Sequence, residues 1–362
     1  MISTDTRTTQ ETPAEHGIVD CDLHNNLDST RDLYPYLSQR WRDHLDEFGA
    51  RKYQGGDYPR VYRYRPESYP PSGRVGGSDV GLIRRHHLDP EGVAYAVLNP
   101  LTPVGQLPNL ELDAALATAV NEWQVADWLD AEPRLRASIV IPYEDPPSAV
   151  AEIRRRAADR RFVQVLFLGR TAEPLGRRKY WPIFEACAEH GLHVASHAFY
   201  NGGQPITGAG WPSYYFEDHL APAQAMQGQI MSMVVEGVFE RYPDLRLISL
   251  ENGFGWISPL AWRLDRAWEQ FRREVPHLRR PPSEVIAEHV YLATQPVEEP
   301  ERPEYFHRLF DRHPALADRL LFSSDYPHWD GDSPSQALPV RLPDELHRRI
   351  FSDNGRALYG LS

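Results

Sequence analysis

Cysteine, lysine and long apolar runs are all scarce in this chain of 362 residues. The two cysteines, Cys21 in the first apolar run and Cys187 on the helical stretch Phe184-Glu185-Ala186-Cys187, have no spacing that suggests a zinc knuckle or a disulfide framework. Both read as packing residues. Cys21 lies between two inward-facing positions, so it is expected to face outward. No apolar run reaches the roughly 18 residues of a membrane span, and Met1–Arg7 has no apolar core of the kind a signal peptide needs. A cytoplasmic location is the expectation. The formal net charge of -12 excludes a broadly basic surface for nucleic acid or anionic lipid. The short runs Arg154-Arg155-Arg156 and Arg160-Arg161 read as a solvated helix face and its exit. Residues 1–16 are polar and unpatterned, as in a disordered tail.

Eight short apolar runs stand against these absences: Ile18–His24, Val93–Asn99, Ala137–Pro142, Phe162–Leu168, Leu192–His197, Leu245–Glu251, Val290–Thr294 and Leu320–Asp325. Segments of helical period separate most of them, among them Leu112–Leu129, Trp181–Glu189, Ala223–Phe239 and Ile257–Phe271. Eightfold alternation of strand and helix is the pattern of a closed parallel barrel, and residues 17–362 are expected to form one distorted (β/α)8 TIM barrel. Two stretches break the rhythm. Residues 25–90, rich in Tyr, Arg, Pro and Gly, form a long insertion between the first strand and the first helix, over the C-terminal mouth. Residues 199–221 follow the fifth strand and carry Gly202-Gly203, Trp211, Tyr214 and Tyr215. Insertions of this length on the catalytic side read as substrate-covering segments, and a role as an oligomer contact is compatible with that.

Four residues of metal-ligand type fall at the ends of separate strands: Asp22 and His24 on the first, His197 on the fifth and Asp325 on the eighth. Strand side chains alternate with period two, so Asp22 and His24 point the same way, with Asp20 one step deeper on that face. A divalent ion held there would polarise a carbonyl or lower the pKa of a water to about 7, and the chain reads as an enzyme. Two-metal barrel hydrolases bridge their ions with a carboxylated lysine at the fourth strand. The only lysines here are Lys52 and Lys179, neither on a strand, which points to one ion.

In order and spacing, five segments resemble the amidohydrolase superfamily, within the group of aminocarboxymuconate semialdehyde decarboxylase and the γ-resorcylate-type decarboxylases. They are Asp22-x-His24, Gly92–Pro100, His190–His197, Ser323-Ser324-Asp325-Tyr326-Pro327-His328-Trp329 and the closing Asp353–Leu361. The resemblance implies that Asp22, His24, His197 and Asp325 hold the ion, with zinc the first expectation and manganese possible, and that the protein is a homodimer. The chain departs from the family twice. Asp22 replaces the usual histidine or glutamate, and Glu251 stands where a catalytic histidine usually ends the sixth strand. Glu251 is open to three roles: proton acceptor, fifth ligand or neutral hydrogen-bond partner. Asp325 and Glu251 are the expected catalytic pair, with Glu251 as proton acceptor. Arg63 and Arg65 suit a substrate carboxylate, while Tyr200, Trp211, Asn252, His328 and Trp329 are expected to line the space for a flat small molecule. With a proton acceptor in place of the histidine, hydrolysis of an amide, lactone or ester is the main expectation. Decarboxylation of an aromatic or muconate-type acid is the alternative, and a metal-free binding or acid/base descendant is the third reading.

Overall fold

A computed structural model describes residues 17–50, 64–102, 104–198, 205 and 207–362. Its centre is one sheet of eight parallel strands in sequential order. They are β1 (Ile18–Leu23), β2 (Val93–Leu98), β3 (Leu135–Val140), β4 (Phe162–Leu168), β5 (His193–His197), β6 (Leu247–Leu250), β7 (Val290–Ala293) and β8 (Leu320–Leu321). Backbone bonds from Cys21 N to the Phe322 carbonyl, Asp325 N to Asp22 and His24 N to Tyr326 join the first strand to the chain after the last. The expected alternation thus gives the (β/α)8 barrel, with β3 two residues earlier than its apolar run suggested.

Both faces of the strands are apolar because both are covered. Val165, Phe167 and Val194 face outward, in one cluster with Ile183 and Phe184 of helix Trp181–His190. Leu166, Ala195, Ile248, Leu250, Ala293 and Leu321 fill the barrel interior together with Leu358 near the C-terminus.

β1 departs from strict alternation, and this corrects two expectations. Ile18 and Val19 pair with Val93 and Tyr95, Asp20 with Ala96 and Leu23 with Leu98, so three steps on β1 span two on β2. The extra residue is a bulge at Cys21 and Asp22, of the kind that re-aims side chains at barrel rims. Cys21 accordingly packs in the interior cluster with Val19, and Asp20 shares the outward side of Ala96. Asp22 still reaches the mouth, through the bulge rather than through period two.

The connection from β1 to β2 is not structureless. It contains the short helices Thr30–Tyr36, Gln39–Glu47, Val80–Ile83 and Arg84–Leu88. Ser29 and Asp79 cap two of them, each accepting a backbone N–H in the first turn. Its middle runs along the loop after β8: Tyr64 bridges His328, and Arg65 N donates to the Pro327 carbonyl at 2.8 Å. Gly77, at φ +77, lies where a Cβ would come within 2.7 Å of Pro327 Cγ, so close approach as well as backbone sign requires glycine. The connection after β5 includes helix Tyr215–Leu220. Tyr53, Tyr58, Tyr62, Arg60 and Arg63 lie outside the described residues.

The arginine run on helix Pro146–Arg156 is only partly solvated. Arg154 pairs with Glu189 in solvent, whereas Arg156 turns inward to Glu152 at 2.8 Å and Glu122 at 2.7 Å. No helix of the described residues is long and apolar enough to cross a membrane.

Asp113, buried in the first turn of helix Leu110–Trp123, accepts the Gly105 N–H at 2.9 Å and shapes the loop after β2. Burial pushes its carboxyl up to about 7, against the backbone N–H groups of Gly105 and Leu107 that favour the anion. The native state therefore keeps a proton that the unfolded chain releases near pH 4, and this contribution to stability falls as pH rises from about 4 to 7. Asp113→Asn retains the acceptor oxygen and removes the charge. Thermal unfolding should find the variant's midpoint less sensitive to pH over that range, and at pH 8 raised by about a few degrees relative to wild type. A wild-type pH profile in the variant would refute this.

Candidate active site

The C-terminal ends of β1, β5 and β8 bring Asp22, His24, His197 and Asp325 together, all buried, with one donor atom of each within 4.8 Å of the others. His24 is oriented from behind: its Nδ1 donates to the Asn99 carbonyl at 2.7 Å, which turns Nε2 to Asp325 Oδ1 at 2.8 Å. Asp22 Oδ1 accepts from Asn99 Nδ2 at 2.9 Å, and Asp22 Oδ2 lies 3.3 Å from His197 Nε2. Asn99 in turn accepts from Ser138 Oγ at 2.5 Å and Gln164 Nε2 at 3.1 Å, so β2, β3 and β4 fix the two β1 side chains. Sequence reasoning gave Asn99 no role, although it closes the second apolar run.

Glu251 follows β6 directly and places Oε2 3.3 Å from His197 Nε2. Among the described residues, Glu251 at φ 53 and Asp325 at φ 55 are the non-glycine residues with left-handed backbone. That conformation costs about 1–2 kcal/mol for an L-residue and persists where surrounding bonds impose it. After Glu251 the bonds come from Glu298, whose carboxylate accepts the N–H groups of Phe254 at 3.0 Å and Gly255 at 2.9 Å. Around Asp325 they come from β1, described above. His328 Nδ1 lies 2.6 Å from Asp325 Oδ1, and its ring stacks on Tyr64 at 5.6 Å.

Three carboxylates converge here in a buried space. Burial pushes the Glu251 carboxyl well above the usual range, and Asp325, Asp22 and Asp330 add to it. Burial also opposes charge on Asp22 and Asp325, yet histidines outweigh it: His197 and His24 lower Asp22, and His328 and His24 lower Asp325. Burial disfavours the His24 cation too, but Asp22, Asp325 and the Asn99 carbonyl push its pKa up to about 9. His197 is pushed down, chiefly by burial.

The donors fit a divalent cation. Asp325 Oδ2 is buried with no hydrogen-bond partner among the described residues, and such a group is costly unless something binds it. Two imidazoles and two or three carboxylates form the mixed nitrogen and oxygen set that Zn and Mn both accept. One donor atom of each of His24, Glu251, Asp325 and His328 also lies within 4.8 Å of the others, so Glu251 and His328 are within reach of the same ion.

The remaining expected residues are spread over the mouth. Arg65 donates its guanidinium to the Gly331 carbonyl and so is tied to the loop after β8. Asn252 bonds the Leu250 carbonyl at 2.5 Å and supports its own turn. Trp211 is 51% exposed and Trp329 50% exposed. Arg63 and Tyr200 lie outside the described residues. His219, which had no sequence signal, pairs with Asp330 at 2.9 Å between the rings of Tyr215 and Trp329.

The family model described as amidohydrolase matches residues 19–361. The chain belongs to the amidohydrolase family. Among curated members, it is 24% identical over 304 residues to the γ-resorcylate decarboxylase of Rhizobium sp. (strain MTP-10005), covering 78% of this chain and 88% of that one. An amidohydrolase from Mycobacterium avium subsp. paratuberculosis K-10 superposes with a TM-score of 0.72 at 21% identity, covering 96% of this chain and 99% of that one. A dihydroxybenzoic acid decarboxylase from Polaromonas sp. JS666, with bound manganese and the inhibitor 2-nitroresorcinol, superposes at 0.67 and 19% identity, covering 96% and 97%. These relatives favour the decarboxylase alternative over the main expectation of hydrolysis. They support a divalent metal, and the metal in the Polaromonas structure is manganese where zinc was the first expectation.

Proposed function

We propose that this amidohydrolase-family chain is a metal-dependent, non-oxidative decarboxylase of a hydroxylated aromatic acid. The observation that carries the reading is the buried quartet Asp22, His24, His197 and Asp325, with its unbonded Asp325 oxygen, in a chain whose relatives include decarboxylases of such acids. One ion is proposed, since Lys179 is engaged by Glu144 and no lysine among the described residues stands on a barrel strand. The oxygen-rich donor set and the Polaromonas relative make manganese the ion to test first, ahead of zinc.

Asp22, His24, His197 and Asp325 would hold a divalent ion, which would supply positive charge to bind an anionic substrate. Asp325, which the histidines hold ionised at rest, takes a proton relayed through His328 and then delivers it to the ring. The bond between ring carbon and carboxylate breaks, carbon dioxide leaves, and the electron pair left on the carbon takes up the proton. His328, 2.6 Å from Asp325, is placed to return a proton to it, and one proton per turnover comes from solvent. Asn99 and the β1 bulge hold Asp22 and His24 in register with Asp325 throughout. Tyr64, Trp329 and the helix Tyr215–Leu220 offer rings for a flat substrate.

The test is a panel of dihydroxybenzoates and carboxylated phenols beside aryl esters, lactones and amides, offered to the Mn2+-loaded protein. Carbon dioxide release from an aromatic acid, with hydrogen replacing the carboxyl group, is the expected result. Turnover confined to the esters, lactones or amides would restore the hydrolysis reading, in which Glu251 takes a proton from water. A homodimer is also proposed, with the exposed rings of Trp211, Tyr214 and Phe216 as its contact. Sedimentation showing monomer across micromolar concentrations would count against it.

A further inference from the structure

The connection between β1 and β2 sends one histidine to the centre from behind. His87, on the short helical segment Arg84–Leu88, is buried, and its Nε2 lies 2.7 Å from Asp20 Oδ2. Asp20 is the residue that the β1 bulge turns outward, and no part of the proposed chemistry uses it. Its carboxylate is nevertheless fully engaged. Oδ1 accepts the N–H of Ser324 at 2.9 Å and of Asp22 at 3.2 Å, and Oδ2 accepts the Ser324 hydroxyl at 2.6 Å as well as His87. Ser324 Oγ in turn accepts the Tyr326 N–H at 3.1 Å, and the His87 ring stacks on Tyr326 at 4.9 Å with an interplanar angle of 11°.

These bonds bracket Asp325 on both sides. Ser324 precedes it, Tyr326 follows it, and Asp325 itself is held left-handed at φ 55 with N donating to the Asp22 carbonyl at 3.0 Å. One carboxylate therefore fixes the backbone of Asp22 and the turn that aims Asp325. His87 supplies the donor that a two-oxygen acceptor buried away from water still needs. Resting on the metal reading above, we infer that His87 is a positioning residue, acting through Asp20 and Ser324 to hold the Asp325 carboxylate in ion-binding geometry.

The test uses Mn2+ alone as probe on the full chain, with His87→Phe and His87→Gln. Phenylalanine keeps a ring over Tyr326 and removes the N–H, whereas glutamine removes the ring and offers an N–H again. Outer partners of metal ligands typically change affinity by about 10–100-fold, so His87→Phe should weaken Mn2+ binding by roughly 10-fold or more. It should also broaden or shift the bound Mn2+ electron paramagnetic resonance spectrum, and His87→Gln should recover most of both. A merely structural role would lower the melting temperature of the metal-free protein in both variants and leave the bound spectrum alone. Wild-type affinity and spectrum in His87→Phe would overturn the inference, as would equal losses in the two variants. If His87→Phe does not fold, Ser324→Ala removes the hydroxyl arm of the same network and is expected to give the same spectral change; an unchanged spectrum there overturns the inference equally. Failure of the wild-type chain to take up Mn2+ would remove the metal reading and this inference together, and is distinguishable from all of these.

Discussion

Replacing His24 or His197 with alanine is expected to remove metal and turnover together. Each imidazole is buried and each faces at least one carboxylate of the centre: His24 Nε2 is 2.8 Å from Asp325, and His197 Nε2 is 3.3 Å from both Asp22 and Glu251. Losing one of so few ligands opens a position to solvent and leaves converging carboxylates with less to offset their repulsion. Since even outer partners change affinity by about 10–100-fold, loss of a ligand should weaken Mn2+ binding by at least roughly 100-fold. Metal analysis of the purified variants beside a turnover assay decides the matter. A variant with full metal and full turnover removes that histidine from the site.

Glu251→Gln separates the roles open to the residue on which the chain departs furthest from its family. The substitution keeps the shape that the turn after β6 imposes and removes the charge. If Glu251 handles a proton, kcat should fall by about 10²–10⁴-fold with metal content unchanged. If it ligates the ion, as its place beside His24, Asp325 and His328 allows, occupancy should fall with turnover. Wild-type turnover with wild-type metal would make Glu251 a packing or hydrogen-bonding residue and leave proton delivery to Asp325 alone. That outcome is the one most favourable to decarboxylation, because hydrolysis needs the acceptor.

The barrel was legible because its strands are covered on both faces. Val163-Gln164-Val165-Leu166-Phe167-Leu168 is apolar on inner and outer sides alike except at Gln164, and the Ile257–Phe271 periodicity marks a helix that the structure places at the same residues. The quartet was legible because chemistry-bearing residues at strand ends converge once the barrel closes. What β1 does locally was not. Period two places Asp20 beside Asp22, and only the pairing with β2 reveals the extra residue that turns Cys21 in and Asp20 out. The supporting contacts were equally hidden. Asn99, His87 and Glu298 act from loops or from a short helix whose distance in sequence carries no pattern, as with the separation of 67 residues between Asp20 and His87. Reaction choice stays open in the sequence for a different reason, and the relatives favour its decarboxylase alternative. By residue type Glu251 suits a base, a ligand or a hydrogen-bond partner alike, and its surroundings include three further carboxylates, Asp325, Asp22 and Asp330, that no sequence pattern places beside it.

One divalent ion, held by Asp22, His24, His197 and Asp325, is proposed to make this chain a decarboxylase. The most direct measurement is a titration of chelator-treated protein with Mn2+ while carbon dioxide release from a dihydroxybenzoate is followed in heavy water. Release should rise from nothing, saturate at one ion per chain and leave deuterium on the carbon that lost the carboxyl group. Carbon dioxide release that is independent of added ion, or saturation with metal that brings ester or amide hydrolysis and no release, would contradict it.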